Sequence, residues 1–390
     1  MQKKIRITFM LSSNMQSWAG GKKTIYEYIK FANRERFEVQ IVQPFQYHPT
    51  TLSKEQLQNM FKGVKITEFD YPLDYLASRL HSERLMVILS NPILPFRKLI
   101  FWYTRLRNLS LLRRVETETD YFYVLNNDLA EILSGKSKII GCEHTYIPGM
   151  YNGKPVENIF AKLALSLTKV GFLYRHIMVF HCINKFSEYY ISPYKKAFYV
   201  PSGVDTNLFY PEECHHETIR LLFVGRIVPS KGIKELVEAF RMVDDKNIEL
   251  HVVGGGSLVN LFSEPKDSRI YYHGFLSDEQ MAEIYRKCDV FVFPSYYENF
   301  GLVIIEALSS GLYVITSEQI YPRFIDFQKE GYLEYVPINE VSISNAIKSL
   351  QKNKHKILNF DERKKLHEIV KKEFEWKTIV ENLYEKIISY

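Results

Sequence analysis

The sequence LLFVGRIVPSKGIKELVEAF (residues 221–240) combines an apolar strand, a short basic turn and the beginning of a helix. Arg226 and Lys231 lie in the turn, among two glycines and a proline. A helix N-terminus carries partial positive charge, and two side-chain cations beside it suit a diphosphate. Solvated surface charges are the simpler interpretation, but the glycines and the proline keep this backbone tight and open to a ligand. We therefore expect an anion site at the end of this strand.

A second strand-to-helix sequence, DVFVFPSYYENFGLVIIEALSSG (residues 289–311), places Glu298 and Glu306 eight residues apart. Carboxylates accept hydrogen bonds from the vicinal hydroxyls of a ribose or a sugar. Cations for phosphates and carboxylates for hydroxyls together fit a nucleotide-sugar. Paired carboxylates are also typical of glycosidases. A hydrolase, however, does not need the cations of the first turn.

The segments GRIVPSKG (225–232) and ENFGLVIIEALSSG (298–311) together resemble the signature of the family-four glycosyltransferases, also called glycosyl transferases group 1. The similarity covers most of the chain and is weakest between about Thr50 and Asp120. Further matching segments are GG (20–21), EHT (143–145), PSGVDTNLF (201–209) and FEWKTIVENLYEKI (374–387). The resemblance implies a retaining enzyme of the GT-B type, in which two Rossmann-like α/β domains face each other across a cleft.

The same resemblance implies roles for particular residues. Arg226 and Lys231 would bind the donor diphosphate, Glu306 the ribose hydroxyls, and Glu298 the donor sugar. Catalytic roles are expected for Glu298, His144, Arg226 and Lys231, and His144 would lie near the reacting carbon. Glu143, the residue before His144, is the one most easily mistaken for it. The expected donor-binding residues are Gly20, Gly21, Arg226, Lys231, Gly254, Phe275, Leu276, Glu298, Phe300, Gly301, Leu302 and Glu306.

Two glycine-rich segments have competing interpretations. The sequence GGKKT (20–24) is similar to a phosphate loop but is not G-x-x-x-x-G-K-[ST], which argues against a nucleoside-triphosphate hydrolase. The triplet at 254–256 lacks the spacing of a dinucleotide fingerprint. Simple turns are the alternative at both places. No D-x-D triad accompanies these segments, so we expect no metal and no cofactor apart from the donor, for which UDP is the favoured nucleotide.

Apolar runs of strand length alternate with amphipathic stretches along the whole chain, which predicts parallel sheets with helical crossovers. We expect domains at 1–200 and 201–375, and a last helix over 376–390 that returns to the first domain by resemblance. Predicted helices include 22–33 and 158–174. Predicted strands are Ile5–Leu11, Val39–Val42, Tyr121–Leu125, Lys138–Cys142, Ile177–Phe180, Ala197–Val200, Leu221–Val224, Ile248–Val253, Arg269–Tyr272, Val290–Phe293 and Tyr313–Ile315.

Length and composition limit the class of protein. A chain of 390 residues with 46% hydrophobic residues can bury the cores of two domains. Its 4 cysteines include no C-x-x-C pair, which is typical of a reducing cytosol. Cys214, His215 and His216 adjoin each other but lack spaced partner ligands, so a solvated loop is favoured over a metal site. Neither a signal peptide nor a membrane-spanning helix is predicted.

The net charge of +6 is concentrated in residues 79–114, which contain eight basic residues and only Glu83 as an acid. Phe96, Phe101, Trp102 and Tyr103 lie among these charges. Basic and aromatic residues together favour an anionic membrane surface over nucleic acid, because no nucleic-acid motif accompanies them. Alternatively, the arginines pair with acids of their own domain and the aromatic rings fill its core.

The sequence therefore predicts a retaining, metal-independent hexosyltransferase that moves a sugar from a nucleoside-diphosphate donor to a glycan or lipid-linked acceptor. We expect it in the cytoplasm, peripheral to the inner face of the membrane. Alternatives on the same architecture are a sugar-nucleotide epimerase, a phosphorylase, or a catalytically silent membrane- or glycan-binding scaffold. The residues do not distinguish among bases, sugars, acceptors, linkages or oligomeric states.

Overall fold

The structure is a computed structural model of all 390 residues. It describes residues 3–12, 15, 20–45, 52–71, 95–125, 127–135, 137–143, 150–151, 154–155, 175–193, 195–213, 216–262, 267–298, 300–320 and 324–390.

The chain divides into two compact units. Unit 1 comprises Met1–Met150, Pro155–Pro201 and Ile379–Tyr390, and unit 2 comprises Tyr151–Lys154 and Ser202–Thr378. The division after Pro201 lies one residue from the boundary expected at 200. The return of the chain to unit 1 begins at Ile379, within the helix that was expected from 376.

Unit 1 is built on a seven-stranded parallel sheet with the strand order β3-β2-β1-β4-β5-β8-β9. Its central strands are buried on both faces, which explains their continuous apolar sequences. The strands are β1 Ile5–Met10, β2 Phe37–Pro44, β3 Lys65–Phe69, β4 Tyr121–Val124, β5 Ile139–Glu143, β8 Ile177–Cys182 and β9 Ala197–Tyr199. A separate short pair, β6 Met150–Tyr151 and β7 Lys154–Pro155, is divided between the two units.

Helices connect these strands, and their apolar faces pack on the sheet. Phe101, Leu112 and Val115 from two successive helices join Phe122 and Phe180 of the sheet in one core cluster. The described helices of unit 1 before its last segment are α1 Gly20–Lys30, α2 Lys54–Met60, α3 Pro95–Arg107, α4 Leu109–Thr117 and α5 Lys185–Ile191.

Unit 2 repeats this architecture with a six-stranded parallel sheet in the order β12-β11-β10-β13-β14-β15. The strands are β10 Ile219–Val224, β11 Ile248–Val253, β12 Ile270–Gly274, β13 Val290–Phe293, β14 Tyr313–Ser317 and β15 Leu333–Val336. The helices are α6 Ile233–Arg241, α7 Asp278–Lys287, α8 Leu302–Ser309, α9 Ile325–Lys329, α10 Glu340–Ser349, α11 Lys354–Ile357 and α12 Phe360–Phe374. Chain order reverses between β10 and β13, which makes their carboxyl ends the switch point where ligands bind in such sheets.

The last helix, α13 (Trp376–Ile388), contributes residues to both units. Leu383, Tyr384 and Ile387 are almost fully buried. Within unit 1, the Tyr384 hydroxyl donates to the carbonyl of Tyr28 at 3.1 Å, and its ring packs against Phe37. Unit 1 is therefore completed by the last residues of the chain.

The predicted α/β fold class is confirmed, and the predicted strands coincide with observed ones to within a few residues. The outer strands β3 and β15 were not predicted, whereas the opposite outer strands, β9 and β12, were. Helix α1 begins at Gly20 and ends at Lys30, earlier than predicted. The helix predicted over 158–174 lies outside the described residues. The facing arrangement and its cleft stay predictions.

Candidate functional site

The turns after β10 and β13 are bound tightly to each other within unit 2. Gly232 has a φ of 65°, and a Cβ at this position would lie 2.1 Å from the carbonyl oxygen of Pro294. The Tyr296 backbone N–H donates to the carbonyl of Ser230 at 3.0 Å. The basic turn and the carboxylate-bearing turn, which are about 65 residues apart in sequence, therefore form one structure.

Lys231 is held by acceptors from the second turn. Its ammonium forms an ion pair with Glu298 and donates to the carbonyl of Tyr297 at 3.2 Å. The ammonium also lies 5.7 Å from the centre of the Phe293 ring. Only 13% of the Lys231 side chain and 19% of the Glu298 side chain are exposed. The two charges that the sequence assigned to different parts of a ligand thus contact each other.

Arg226 is in a different situation from Lys231. It lies two residues after the end of β10 and is exposed. Within the described part of the chain, its guanidinium forms no hydrogen bond and no ion pair, so its donors face solvent. Arg226 therefore offers an always-charged, planar group at the switch point of the sheet.

Glu306 lies in the second turn of α8, because this helix begins at Leu302. An acid in the first turn of a helix often does no more than complement the helix dipole, but Glu306 lies beyond that turn. Its carboxylate instead accepts a hydrogen bond from the Tyr285 hydroxyl at 3.3 Å, and this hydroxyl also lies 3.2 Å from the carbonyl oxygen of Val303. Tyr285 is fully buried on α7, and burial raises its pKa well above the ordinary value. Sequence reasoning missed Tyr285 because nothing local marks it.

The glycine triplet after β11 lies against the first turn. A Cβ on Gly254, whose φ is 131°, would lie 1.9 Å from the carbonyl oxygen of Gly225. Phe275 is 86% exposed, and its ring lies over Gly255, where a Cβ would be 2.4 Å from a ring carbon. Leu276, the next residue, is half-buried. The strand ends therefore present a bare backbone and an exposed aromatic ring side by side.

Between Glu298 and Glu306, the Phe300 side chain is buried, whereas the backbone of the next residues is open. The Phe300 ring is 6% exposed and packs near Phe324 and Phe374, so it belongs to the core. Gly301 has a φ of 95° and caps α8, and Leu302 is the first residue of that helix. Helix starts leave their first N–H groups without partners in the helix. These residues can thus contribute main-chain donors rather than side chains.

The unit 1 residues of the predicted site are described only in part. Gly20 and Gly21 are the first two residues of α1, after strand β1, rather than a loop before the helix. Glu143 ends strand β5. His144 and Asn299 lie outside the described residues, as does Cys214 of the sequence Cys-His-His. Among the described residues, no three His, Cys, Asp or Glu side chains come together as metal ligands.

Residues 208–373 match the sequence pattern of the family described as "Glycosyl transferases group 1". These residues are a group 1 glycosyl transferase domain. The resemblance drawn from the two strand-to-helix sequences is thereby confirmed. Arg226, Lys231, Glu298 and Glu306 all lie inside the matched range.

Curated relatives are similar to this chain over only part of its length. Mannosylfructose-phosphate synthase of Agrobacterium fabrum is 31% identical over 137 residues, which cover 29% of this chain and 30% of the relative. Sucrose-phosphate synthase of Thermosipho melanesiensis, described as probable, is 28% identical over 165 residues, covering 38% and 39%. The chain thus spans about a third of the length of the curated relatives that it matches.

The fold is shared over nearly the whole chain with solved two-domain GT-B structures. HepE of Anabaena, determined with UDP and glucose, superposes with a TM-score of 0.66 at 14% identity, covering 98% of this chain and 99% of HepE. Sucrose-phosphate synthase of Thermosynechococcus elongatus has a TM-score of 0.70 at 19% identity, again covering 98% and 99%. Both likenesses establish the fold beyond the boundaries of the group 1 domain.

The basic, aromatic segment of unit 1 carries an exposed apolar stripe on α3. Its members recur at helical spacing and are each at least 45% exposed: Leu99, Trp102, Tyr103 and Leu106. Phe101 and Thr104 point into the core instead. We define these four exposed residues as the α3 stripe. Among the helices of the described ranges, none combines the length and apolar character needed to cross a bilayer.

The cations around the α3 stripe fall into two groups. Arg105 lies 3.6 Å from Glu116, and Arg107 lies 3.0 Å from Asp70, so these two pair with acids of unit 1. Arg113 and Arg114 on α4 are exposed and form no ion pair within the described residues. The alternative in which arginines pair and aromatics are buried therefore holds for Arg105, Arg107 and Phe101, but not for Arg113, Arg114, Trp102 and Tyr103. Residues 79–94 of the basic segment lie outside the description.

Proposed function

We propose that this protein is a retaining, metal-independent glycosyltransferase that moves a hexose from a UDP-sugar to a glycan or lipid-linked acceptor. The observation that carries the proposal is the joining of the two turns at the switch point of unit 2. Arg226 and Lys231 lie there beside Glu298, and Glu306 follows one helix turn further on. HepE, which has the same fold, is known with UDP and glucose, and this supports UDP as the nucleotide.

The arrangement suits departure of a nucleoside diphosphate. Negative charge grows on the diphosphate as the bond to the sugar breaks, and fixed cations lower the free energy of that transition state. Two cations already face this place, so the charge can be balanced without a metal. Glu306, oriented by Tyr285, would accept from the ribose hydroxyls, and the glycine backbone would approach the nucleotide closely. Attack by the acceptor on the face that the leaving group vacates would retain the sugar's configuration.

A donor panel tests the proposal. Thermal unfolding of the chain is measured with the UDP, GDP and ADP forms of glucose, galactose, mannose and N-acetylglucosamine. A ligand that binds only the folded state stabilises it by about 2.7 kcal/mol when its concentration is a hundred times its Kd. This stabilisation raises the unfolding temperature. We expect a strong shift with UDP-sugars, in chelator as well as with magnesium. No shift with any nucleotide-sugar would contradict the proposal.

The alternative functions give different outcomes in the same assay mixtures. An epimerase would convert the donor sugar without an acceptor, and a phosphorylase would release sugar phosphate when free phosphate is supplied. A silent scaffold would bind membranes or glycans and consume no donor. Transfer of labelled sugar to an added glycan or lipid extract, with release of nucleoside diphosphate, distinguishes the transferase from all three.

The α3 stripe supports a location at a membrane surface. Exposed Leu99, Trp102 and Leu106 can enter the headgroup region of a bilayer, while Arg113 and Arg114 attract anionic lipid. We place the protein in the cytoplasm, since its sparse cysteines suit a reducing compartment. Attachment at the inner leaflet would bring unit 1 close to a lipid-linked acceptor.

A further inference from the structure

We propose that Glu298 occupies the place of the donor diphosphate at Lys231 in the ligand-free protein, and that this exchange makes the site prefer the complete donor over the nucleotide product. The inference rests on the proposed function and adds to it a basis for selectivity. It concerns one contact, the ion pair between the Lys231 ammonium and the Glu298 carboxylate.

The contact uses the donors that a phosphate would need. An ammonium has three N–H groups, and here one is directed to Glu298 and another to the carbonyl of Tyr297. The Phe293 ring lies on a further side of the ammonium at 5.7 Å. A diphosphate that binds Lys231 must therefore compete with the Glu298 carboxylate for the same cation. Arg226, which has no such internal partner in the described residues, can meet the phosphate first.

Displacement leaves Glu298 in an unfavourable state unless something else donates to it. Its side chain is only 19% exposed, so water replaces the lost ammonium incompletely. A nucleotide-sugar carries hydroxyls that can donate to the freed carboxylate. A nucleoside diphosphate has no sugar at that position and adds negative charge instead. The free energy of breaking the pair is consequently offset for the donor and not for the product.

This exchange has a consequence for turnover. Re-formation of the Lys231–Glu298 pair after sugar transfer opposes the bound nucleoside diphosphate and assists its release. The same carboxylate thus favours entry of the donor and departure of the product. Glu298 would act as a specificity-determining residue in addition to any contact with the reacting sugar.

The test measures affinities for UDP and UDP-glucose, or for the nucleotide pair that the donor panel selects, by titration calorimetry. Glu298→Gln keeps the shape of the side chain and removes its charge. We expect UDP to bind about fivefold more tightly to this variant, and UDP-glucose about fivefold more weakly, within the range expected for a partly buried charge pair. The ratio of the two affinities should change by roughly twentyfold or more.

Two variants provide the controls. Glu238→Gln removes a carboxylate from the exposed Lys234–Glu238 pair on α6 and should leave both affinities unchanged. Lys231→Met combined with Glu298→Gln should abolish the tightening for UDP, because the cation that was released is absent. If Glu298→Gln unfolds, Glu298→Ala carries the same expectation for UDP.

The outcomes separate the inference from the proposed function. If Glu298→Gln binds UDP no more tightly than the wild type, the exchange is wrong, although transfer activity in the wild type would still support the function. If the wild type binds neither UDP nor any nucleotide-sugar of the panel, the proposed function is wrong and the inference is overturned with it.

Discussion

Arg226 and Lys231 lie in the same turn but differ in what their removal does to the folded protein. Lys231→Ala would leave the half-buried Glu298 without its cation, whereas Arg226 is exposed without a partner among the described residues. The two cations therefore allow a binding effect and a stability effect to be measured separately. Because Arg226 and Lys231 lie in the same turn, each variant serves as the reference for the other.

The first prediction concerns these two cations. Replacing either by Ala should lower turnover by about 10²-fold or more, because each stabilises the departing diphosphate. Lys231→Ala should also lower the free energy of unfolding by about 1–3 kcal/mol, and Arg226→Ala should leave it unchanged. Steady-state kinetics and urea unfolding measure the two effects. Near-wild-type transfer by the double variant would refute the diphosphate assignment.

The second prediction concerns Tyr285 as a positioning residue for Glu306. Tyr285→Phe removes the hydroxyl that donates to the Glu306 carboxylate at 3.3 Å. Nucleoside diphosphate should bind about 2- to 10-fold more weakly, the range of one lost hydrogen bond, while turnover at saturation stays close to wild type. Glu306→Gln should weaken the same binding further.

A matched variant separates positioning from general loss of structure. Tyr313→Phe also removes a hydroxyl near a carboxylate, 3.5 Å from Glu334, on strand β14. Whatever change it makes to the stability, it should leave nucleotide affinity unaltered. Equal loss of affinity in both variants would show that Tyr285 has no particular relation to Glu306.

At the scale of elements, helix α3 has one face in the core and another exposed. Phe101, at 4% exposure, anchors the helix, while Leu99 and Trp102 are about 60% exposed. Substitution of the α3 stripe should therefore change a surface property with little effect on folding. Such a separation makes the membrane proposal testable with intact protein.

The third prediction is that Leu99→Ser combined with Trp102→Ser lowers binding to anionic vesicles by about a hundredfold or more, since each buried apolar side chain contributes about 1.5–3 kcal/mol. Arg113→Gln with Arg114→Gln should weaken binding by about 2 kcal/mol at low salt and less at high salt. Sedimentation with phosphatidylglycerol vesicles measures both. Val341→Ser, an exposed apolar residue of α10, is the control. Wild-type protein that stays in the supernatant at low salt would refute attachment.

The fourth prediction concerns a buried polar contact that joins several strands of unit 1. His181 at the end of β8 donates its Nε2–H to the carbonyl of Val200 at 2.8 Å, because a carbonyl can only accept. Its Nδ1 then accepts from the Tyr123 hydroxyl of β4 at 2.7 Å, and that hydroxyl lies 2.9 Å from Cys142 Sγ of β5. Burial lowers the pKa of His181 to about 4.

The sign of the pH effect follows from that pKa. Below pH 6.5 the unfolded chain binds a proton at His181, whereas the folded chain does so only near pH 4. Stability should therefore fall as the pH decreases from about 6.5 to 4, by about 3 kcal/mol from this residue. His181→Gln should flatten that slope in urea unfolding at several pH values. His251→Gln is the comparison, because the pKa of His251 is also lowered to about 4 but this residue belongs to unit 2. An unchanged slope in His181→Gln would refute the assignment.

At the scale of the whole molecule, local sequence predicted the buried strands of both sheets and one outer strand of each, β9 and β12, but not the opposite outer strands, β3 and β15. Central strands such as β4 and β13 are buried on both faces and have unbroken apolar sequences. Strand β15, LEYV, has two half-buried positions and carries an acid, so nothing in its own residues distinguishes it from a loop. Position at the edge of a sheet decides its exposure, and that position is a property of the assembled fold.

The positions of the candidate residues at strand ends were predictable from the sequence, but their contacts were not. Arg226, Lys231, Glu298 and Glu306 were expected from their spacing at strand ends. The pairing of Lys231 with Glu298 joins positions 67 residues apart, and the contact of Tyr285 with Glu306 joins positions 21 apart. The first contact arises because the neighbouring strands β10 and β13 end side by side, and the second joins helices α7 and α8. Phe300 similarly proved to be a core residue whose backbone alone is open.

The last helix, α13, contributes residues to both units of the chain. Trp376 packs against Gly203 of unit 2, where a Cβ would lie 2.7 Å from the indole. Leu383 and Ile387 on the same helix are fully buried in unit 1. Folding of unit 1 therefore depends on residues that follow unit 2 in the sequence.

The fifth prediction is that removal of residues 379–390 destabilises unit 1 and spares unit 2. Leu383→Ala alone should cost about 2–5 kcal/mol, because it leaves a cavity in the core of unit 1. Calorimetry should show the transition of unit 1 lowered or lost in the truncated chain, while the transition of unit 2 and its response to UDP are retained. Lys377→Ala, an exposed change on the unit 2 side of the helix, should alter neither transition. If truncation lowered both transitions equally, the two units would unfold as one cooperative structure, and the dependence of unit 1 alone on this helix would be wrong.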